Sequence, residues 1–144
     1  MKDTFKPNAL TFEEGIERIK QANEAADFCF KSKISTSLDA AAREATGGLM
    51  VTNVPGGFKK FQLPLYLDKA SQLFVSVGAP DTKVPIHSHD EGDGFRYISS
   101  GSIIYNGEEL KAGDWMFIPA GEPYEFVVGE LGATMMYCYS CCCA

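Results

Sequence analysis

The chain has 144 residues, enough for one domain with a real core, and sets 13 Lys plus Arg against 19 Asp plus Glu for a formal charge of −6. With a pI near 4.9 it lacks the basic footprint of a nucleic-acid binder or of a protein held on an anionic membrane. No apolar run approaches the roughly 20 residues that span a bilayer, and the opening Met1-Lys2-Asp3-Thr4-Phe5-Lys6 has no signal-like stretch; the expected setting is the cytoplasm, with the five cysteines as thiols.

The first predicted element is a helix over residues 11–30. Thr11 and Glu14 make a capping-box pattern, and Phe12, Ile16, Ile19, Asn23 and Ala26 recur at helical spacing as a thin apolar stripe. A short second helix is predicted from Leu38 to Thr46, capped by Ser37 and stopped by Gly47-Gly48. Beyond Gly48 the pattern becomes short apolar or alternating runs separated by Gly, Pro, Asp and Asn. These are Leu49–Val54, Phe61–Leu67, Leu73–Val77, Phe95–Ile98, Ser102–Tyr105, Trp115–Ile118, Tyr124–Val128 and Ala133–Tyr139. Asn106-Gly107 between two such runs is a hairpin signal. Many short strands with regular turns predict an all-β antiparallel sandwich or barrel carrying a helical N-terminal extension.

The only two histidines stand one residue apart, as His87-Ser88-His89. On a strand, residues i and i+2 share a face, so both imidazoles aim at one spot. Imidazole is the commonest side-chain metal ligand and a proton carrier near neutral pH, so the pair marks a candidate site. A polar strand face is the structural alternative.

The segment His87-Ser88-His89-Asp90-Glu91-Gly92-Asp93-Gly94-Phe95-Arg96-Tyr97-Ile98-Ser99-Ser100-Gly101 resembles the first cupin motif, a His-x-His followed by a glutamate, a strand and a glycine. Gly113-Asp114-Trp115-Met116-Phe117-Ile118-Pro119-Ala120-Gly121-Glu122-Pro123-Tyr124 resembles the second, Gly-x5-Pro-x-Gly-x2-His. The resemblance covers roughly residues 60–140. It implies a double-stranded β-helix, the cupin jelly-roll barrel, with its site inside. The implied division is a helical extension over 1–58 packing on the barrel, a barrel over 59–140 and a cysteine-rich tail over 141–144. A homodimer binding a small molecule is the implied assembly.

Two positions depart from the motifs. The family's glutamate falls on Gly94 and its second-motif histidine on Tyr124, so His87 and His89 remain as the expected ligands of a divalent transition metal (Fe, Zn, Ni or Mn). Tyr124, Asp93 and Glu91 are candidates to complete the set. If Gly94 keeps the inward phase, Arg96 at i+2 also points inward. There it would bind an anionic group of a substrate or pair with Glu91 or Asp93; a bulge would turn it to solvent instead.

Three functions follow from the resemblance. The first is a metal-dependent, dioxygenase- or isomerase-like enzyme for a compact oxygenated substrate. The second is a metal-free isomerase or epimerase with His87 or His89 and Tyr124 as acid and base. The third is a non-catalytic ligand-binding module. The tail Cys138-Tyr139-Ser140-Cys141-Cys142-Cys143 has no counterpart in the motifs. Its Cys138-x-x-Cys141 spacing alone is a weak metal or redox signal, and Cys138 is expected in the last strand.

Overall fold

A computed structural model describes residues 9–139. In chain order the elements are α1 (Phe12–Ala26), β1 (Ser35–Thr36), α2 (Ala40–Gly47), β2 (Met50–Val51), β3 (Lys60–Phe61), β4 (Gln72–Gly78), β5 (Lys83–His87), β6 (Gly94–Tyr105), β7 (Glu108–Lys111), β8 (Trp115–Ile118) and β9 (Tyr124–Tyr139). They form two compact units, one of residues up to Cys29 with Asp39–Tyr66, the other of Phe30–Leu38 with Leu67 onward. Cys141, Cys142 and Cys143 lie outside the described residues. Among the described residues no helix is long and apolar enough to cross a membrane.

In the helical unit, α1 opens on the predicted capping box. The Thr11 hydroxyl accepts from the Glu14 N–H at 3.1 Å, and the Glu14 carboxylate accepts from the Thr11 N–H at 3.0 Å. The helix stops at Ala26, four residues short of the predicted end, because Asp27 turns left-handed (φ 53°) and its N–H closes back on Asn23 and Glu24. Ile19, Ala26, Ala42, Ala45 and Leu49 form the small buried core of this unit, and the buried Asn23 amide donates to the Pro64 carbonyl at 3.0 Å. Ser37 does not cap α2, which begins at Ala40 behind Asp39. Its hydroxyl donates instead to Asp114 at 2.8 Å and accepts from the Trp115 N–H at 2.9 Å. That exchange ties the β1 segment to β8, where Ser35 pairs with Phe117.

The β unit is a seven-stranded, wholly antiparallel sheet ordered β1-β8-β6-β9-β4, with β5 also on β9 and β7 also on β6. The predicted Asn106-Gly107 hairpin is present, both residues at positive φ (50° and 79°) between the paired Tyr105 and Glu108. Two predicted strand pairs fuse into single long strands: Phe95–Ile98 with Ser102–Tyr105 becomes β6, and Tyr124–Val128 with Ala133–Tyr139 becomes β9.

Each long strand changes phase at a glycine. Along β9 the buried side chains other than glycine are Tyr124, Phe126 and Val128, then Ala133, Met135, Tyr137 and Tyr139, so even positions give way to odd ones. Gly132 (φ 78°) stands at the switch, and the β6–β9 register slips at the same level around Gly101 (φ 68°). A Cβ on Gly101 would run into the Gly132 carbonyl, so the two strands approach this closely only through glycine. Ile98, Ile103, Leu110, Met116, Ile118, Tyr124, Phe126, Val128, Ala133 and Met135 fill the barrel. Edge-to-face packing of Phe30 on Phe117 (5.1 Å between centroids) fixes the chain entering β1.

Candidate functional site

Strand pairing brings the site residues together. β5 runs beside β9 so that His87 pairs with Tyr124, and the Gly121 N–H donates to the His89 carbonyl at 2.9 Å. β6 enters between β8 and β9, and its alternation buries Gly94, Arg96 and Ile98 while Phe95 and Tyr97 face the other way. The two sequence motifs are thus neighbours in space, side by side on antiparallel strands around one interior.

Among solved structures, the chain is similar to a cupin-like protein of unknown function from Ralstonia eutropha (22% identity, 51% of this chain and 49% of that one, TM-score 0.45). It is also similar to the polyketide cyclase RemF from Streptomyces resistomycificus (28%, 51% and 58%, TM-score 0.41). A third is salicylate 1,2-dioxygenase from Pseudoaminobacter salicylatoxidans (11%, 96% and 35%, TM-score 0.43). The chain spans roughly half the length of the first two proteins and about a third of the last. No family model and no curated protein matches it.

Inside this barrel, polar groups form a chain that runs from half-buried to buried. His89 Nε2 lies 3.3 Å from the Tyr124 hydroxyl, and Arg96 Nη2 donates to that hydroxyl, also at 3.3 Å. Tyr124 and Arg96 are 2% and 7% exposed, whereas His87 and His89 are half-buried. The His87 ring packs 4.5 Å from Tyr124 and 5.0 Å from His89, and its Nδ1 faces the Pro85 carbonyl at 2.8 Å. Burial, then the neighbouring His87 and Arg96, pull the His89 pKa below the ordinary imidazole value, against a small opposing pull from Asp90. The shift favours the neutral imidazole, the form that can accept a proton.

Arg96 is the only charged side chain in the buried class among the described residues, and no carboxylate pairs with it. Its Cζ lies 4.4 Å from the Tyr137 ring centroid and 5.1 Å from that of Phe126, and Nη1 reaches only the Met135 sulfur, at 3.7 Å. Its Nε and the Tyr137 hydroxyl are both buried without a hydrogen-bond partner. Leaving a buried donor unmet costs roughly 1–3 kcal/mol, more when charged. Two cation–π contacts return about 0.5–2 kcal/mol each, so the guanidinium is stacked but not satisfied. Burial, and then the nearby Tyr124, raise the Tyr137 pKa above the phenol range despite Arg96. Tyr124 is close enough to act on that charge without making a hydrogen bond of good geometry to the Tyr137 hydroxyl.

The two carboxylate candidates for completing a metal centre are placed elsewhere, while Tyr124 stands at the site. Asp93 turns to the loop after β8, where it accepts from the Ala120 N–H at 2.9 Å with Lys31 at 3.9 Å, and Glu91 is exposed. A Cβ on Gly94 would sit 2.7 Å from the Tyr137 hydroxyl and 3.0 Å from Cε2, so Tyr137 fills the space of the family's glutamate. Gly94, which lacks the glutamate side chain, therefore has no vacancy beside it. Among the described residues no three His, Cys, Asp or Glu side chains converge to hold a metal ion. His87 is oriented like a ligand, with one ring nitrogen on a carbonyl. Even so, two imidazoles, a phenol already bonded to a guanidinium and no carboxylate do not fit a divalent centre.

Phe126, Tyr137 and Tyr139 read as ordinary core or interface positions in the sequence. The structure places all three around the site, with His89 4.7 Å from Tyr139 and 6.0 Å from Tyr137. Cys138, on the opposite face of β9, is half-buried, and burial raises its thiol pKa.

Proposed function

We propose that the barrel interior is a small-molecule site working by metal-free proton transfer, an isomerase- or epimerase-like activity on a compact anionic substrate. The supporting observation is the His89–Tyr124–Arg96 chain, in which a neutral imidazole, a phenol and a fixed cation share one hydrogen-bonded line. His89 takes a proton from carbon beside a carbonyl while Tyr124 gives its phenolic proton to the carbonyl oxygen. The resulting enol returns its O–H proton to Tyr124, and His89 returns its proton to the same carbon, on either face. Arg96 anchors the anionic end, and His87 lines the entrance. Metal-dependent dioxygenase chemistry is the less supported reading because the donor set lacks a third ligand.

The test is carbon-bound proton exchange in D2O, followed by NMR with pyruvate and 2-oxobutyrate. Exchange above the buffer rate that is lost in His89→Gln and Tyr124→Phe is expected. No exchange with any compound shown to bind would leave a binding module without catalysis.

The exposed face of β4 supports a homodimer. Leu73, Val75 and Val77 are 71%, 73% and 78% exposed on a strand paired only to β9. An open apolar edge is self-complementary about a two-fold axis. Val75→Glu should turn a dimer measured by light scattering into a monomer; a wild-type monomer would refute this assembly.

A further inference from the structure

The two orphaned donors in the barrel define what it is built to hold. Arg96 offers an in-plane fork, Nε and Nη2. Nε has no partner, and Nη2 makes only the 3.3 Å contact to Tyr124, long for a hydrogen bond and readily exchanged. The Tyr137 hydroxyl, on a ring stacked against the same guanidinium, is equally unmet. Phe126 and Tyr137 pack on the faces of the cation, and its Nε edge is closed to solvent, so a ligand reaches it by displacing the long Tyr124 contact; the surroundings are aromatic: Tyr124, Phe126, Tyr137 and Tyr139.

We propose that the Arg96 edge and the Tyr137 hydroxyl together receive the carboxylate of a compact, planar monocarboxylic acid. A carboxylate matches the guanidinium fork with two parallel N–H···O bonds, and one of its oxygens remains open to accept from Tyr137. One cation balances one monoanion. A phosphate dianion would need a second positive group, which the buried residues described here do not supply. Aromatic walls favour a flat, apolar body behind the carboxylate. This inference rests on the reading of the barrel as a small-molecule site, and it names the ligand class of that site.

Calorimetric titration of the full chain in EDTA, with benzoate, acetate, inorganic phosphate and benzamide as probes, tests it. Benzoate should bind best and acetate more weakly, while phosphate and benzamide should show no heat above dilution. Arg96→Lys keeps charge but loses the fork and should weaken benzoate about tenfold or more; Arg96→Met should abolish binding with the fold intact by circular dichroism. Unchanged benzoate affinity in Arg96→Met, preference for phosphate, or binding that EDTA abolishes would each overturn the proposal. His89→Gln separates the two claims. If it keeps benzoate binding, failure of the exchange assay sinks proton transfer alone; exchange activity that survives Arg96→Met sinks the carboxylate anchor alone.

Discussion

Replacing Gly94 by alanine probes the packing that distinguishes this barrel from one with a glutamate at that position. The new methyl would lie 2.7 Å from the Tyr137 hydroxyl, closer than real methyl contacts allow, and tightly at 3.0 Å from Cε2 and 3.2 Å from Cζ. Tyr137 is 6% exposed, stacked on Tyr139 at 5.9 Å and packed on Arg96, so its ring has little room to retreat. Overpacking of this kind costs about 1–3 kcal/mol, offset by roughly 0.4–1 kcal/mol from the stiffer unfolded chain. A net loss of about 1–2 kcal/mol lowers Tm by about 3–8 °C for a chain of this size. Tyr137→Phe removes the shortest contact and an unmet hydroxyl, so Gly94→Ala should cost less in that background. Urea and thermal unfolding of the four proteins in this cycle give the coupling, expected above about 0.5 kcal/mol. A Gly94→Ala protein that melts with the wild type, or strictly additive effects, would refute the placement of Tyr137.

Arg96→Met should leave stability unchanged or raise it by about 1–4 kcal/mol, since a buried cation without an anion is replaced by a fitting apolar chain; denaturant unfolding that shows a clear loss would mean Arg96 is kept for structure. The His89 side chain should titrate below about 6.5 by NMR of its ring protons. Because the unfolded chain takes up this proton first as pH falls, the His89 contribution to stability is full above about 6.5. It is lost as pH drops toward the folded value, and stability rising over that interval on acidification would contradict the burial of His89. Ultraviolet titration should show one phenol that resists ionisation beyond the ordinary range and is missing in Tyr137→Phe. Ser37→Ala breaks the exchange between Asp114 and Trp115 and should cost about 1–2 kcal/mol in thermal unfolding; no change would remove that link from the account.

The hairpin, the capping box and the inward phase of Gly94 and Arg96 were legible because each depends on local parity or spacing; the histidines stood out as a motif, although strand parity does not place them, since β5 ends at His87 and His89 lies beyond it. Tyr137 was not. Counting from Tyr124, an uninterrupted strand would turn Tyr137 outward, and only the phase switch near Gly132 brings it in. Whether Gly94 left a vacancy therefore depended on a residue 43 positions away in sequence whose orientation hinged on a bulge. Ser37 misled for a related reason. Its cap-like position before a helix is a local signal, and the pairing of β1 with β8 gave its hydroxyl better partners. The fate of Asp93 likewise turned on a long-range contact that spacing does not encode.

Elemental analysis of protein purified without chelator tests the central claim most directly, that the cation inside this barrel is Arg96 and not a metal. The account predicts well under one equivalent of Fe, Zn, Ni or Mn per chain, unchanged by His87→Ala or His89→Ala. One tightly held equivalent that disappears in both variants would contradict it.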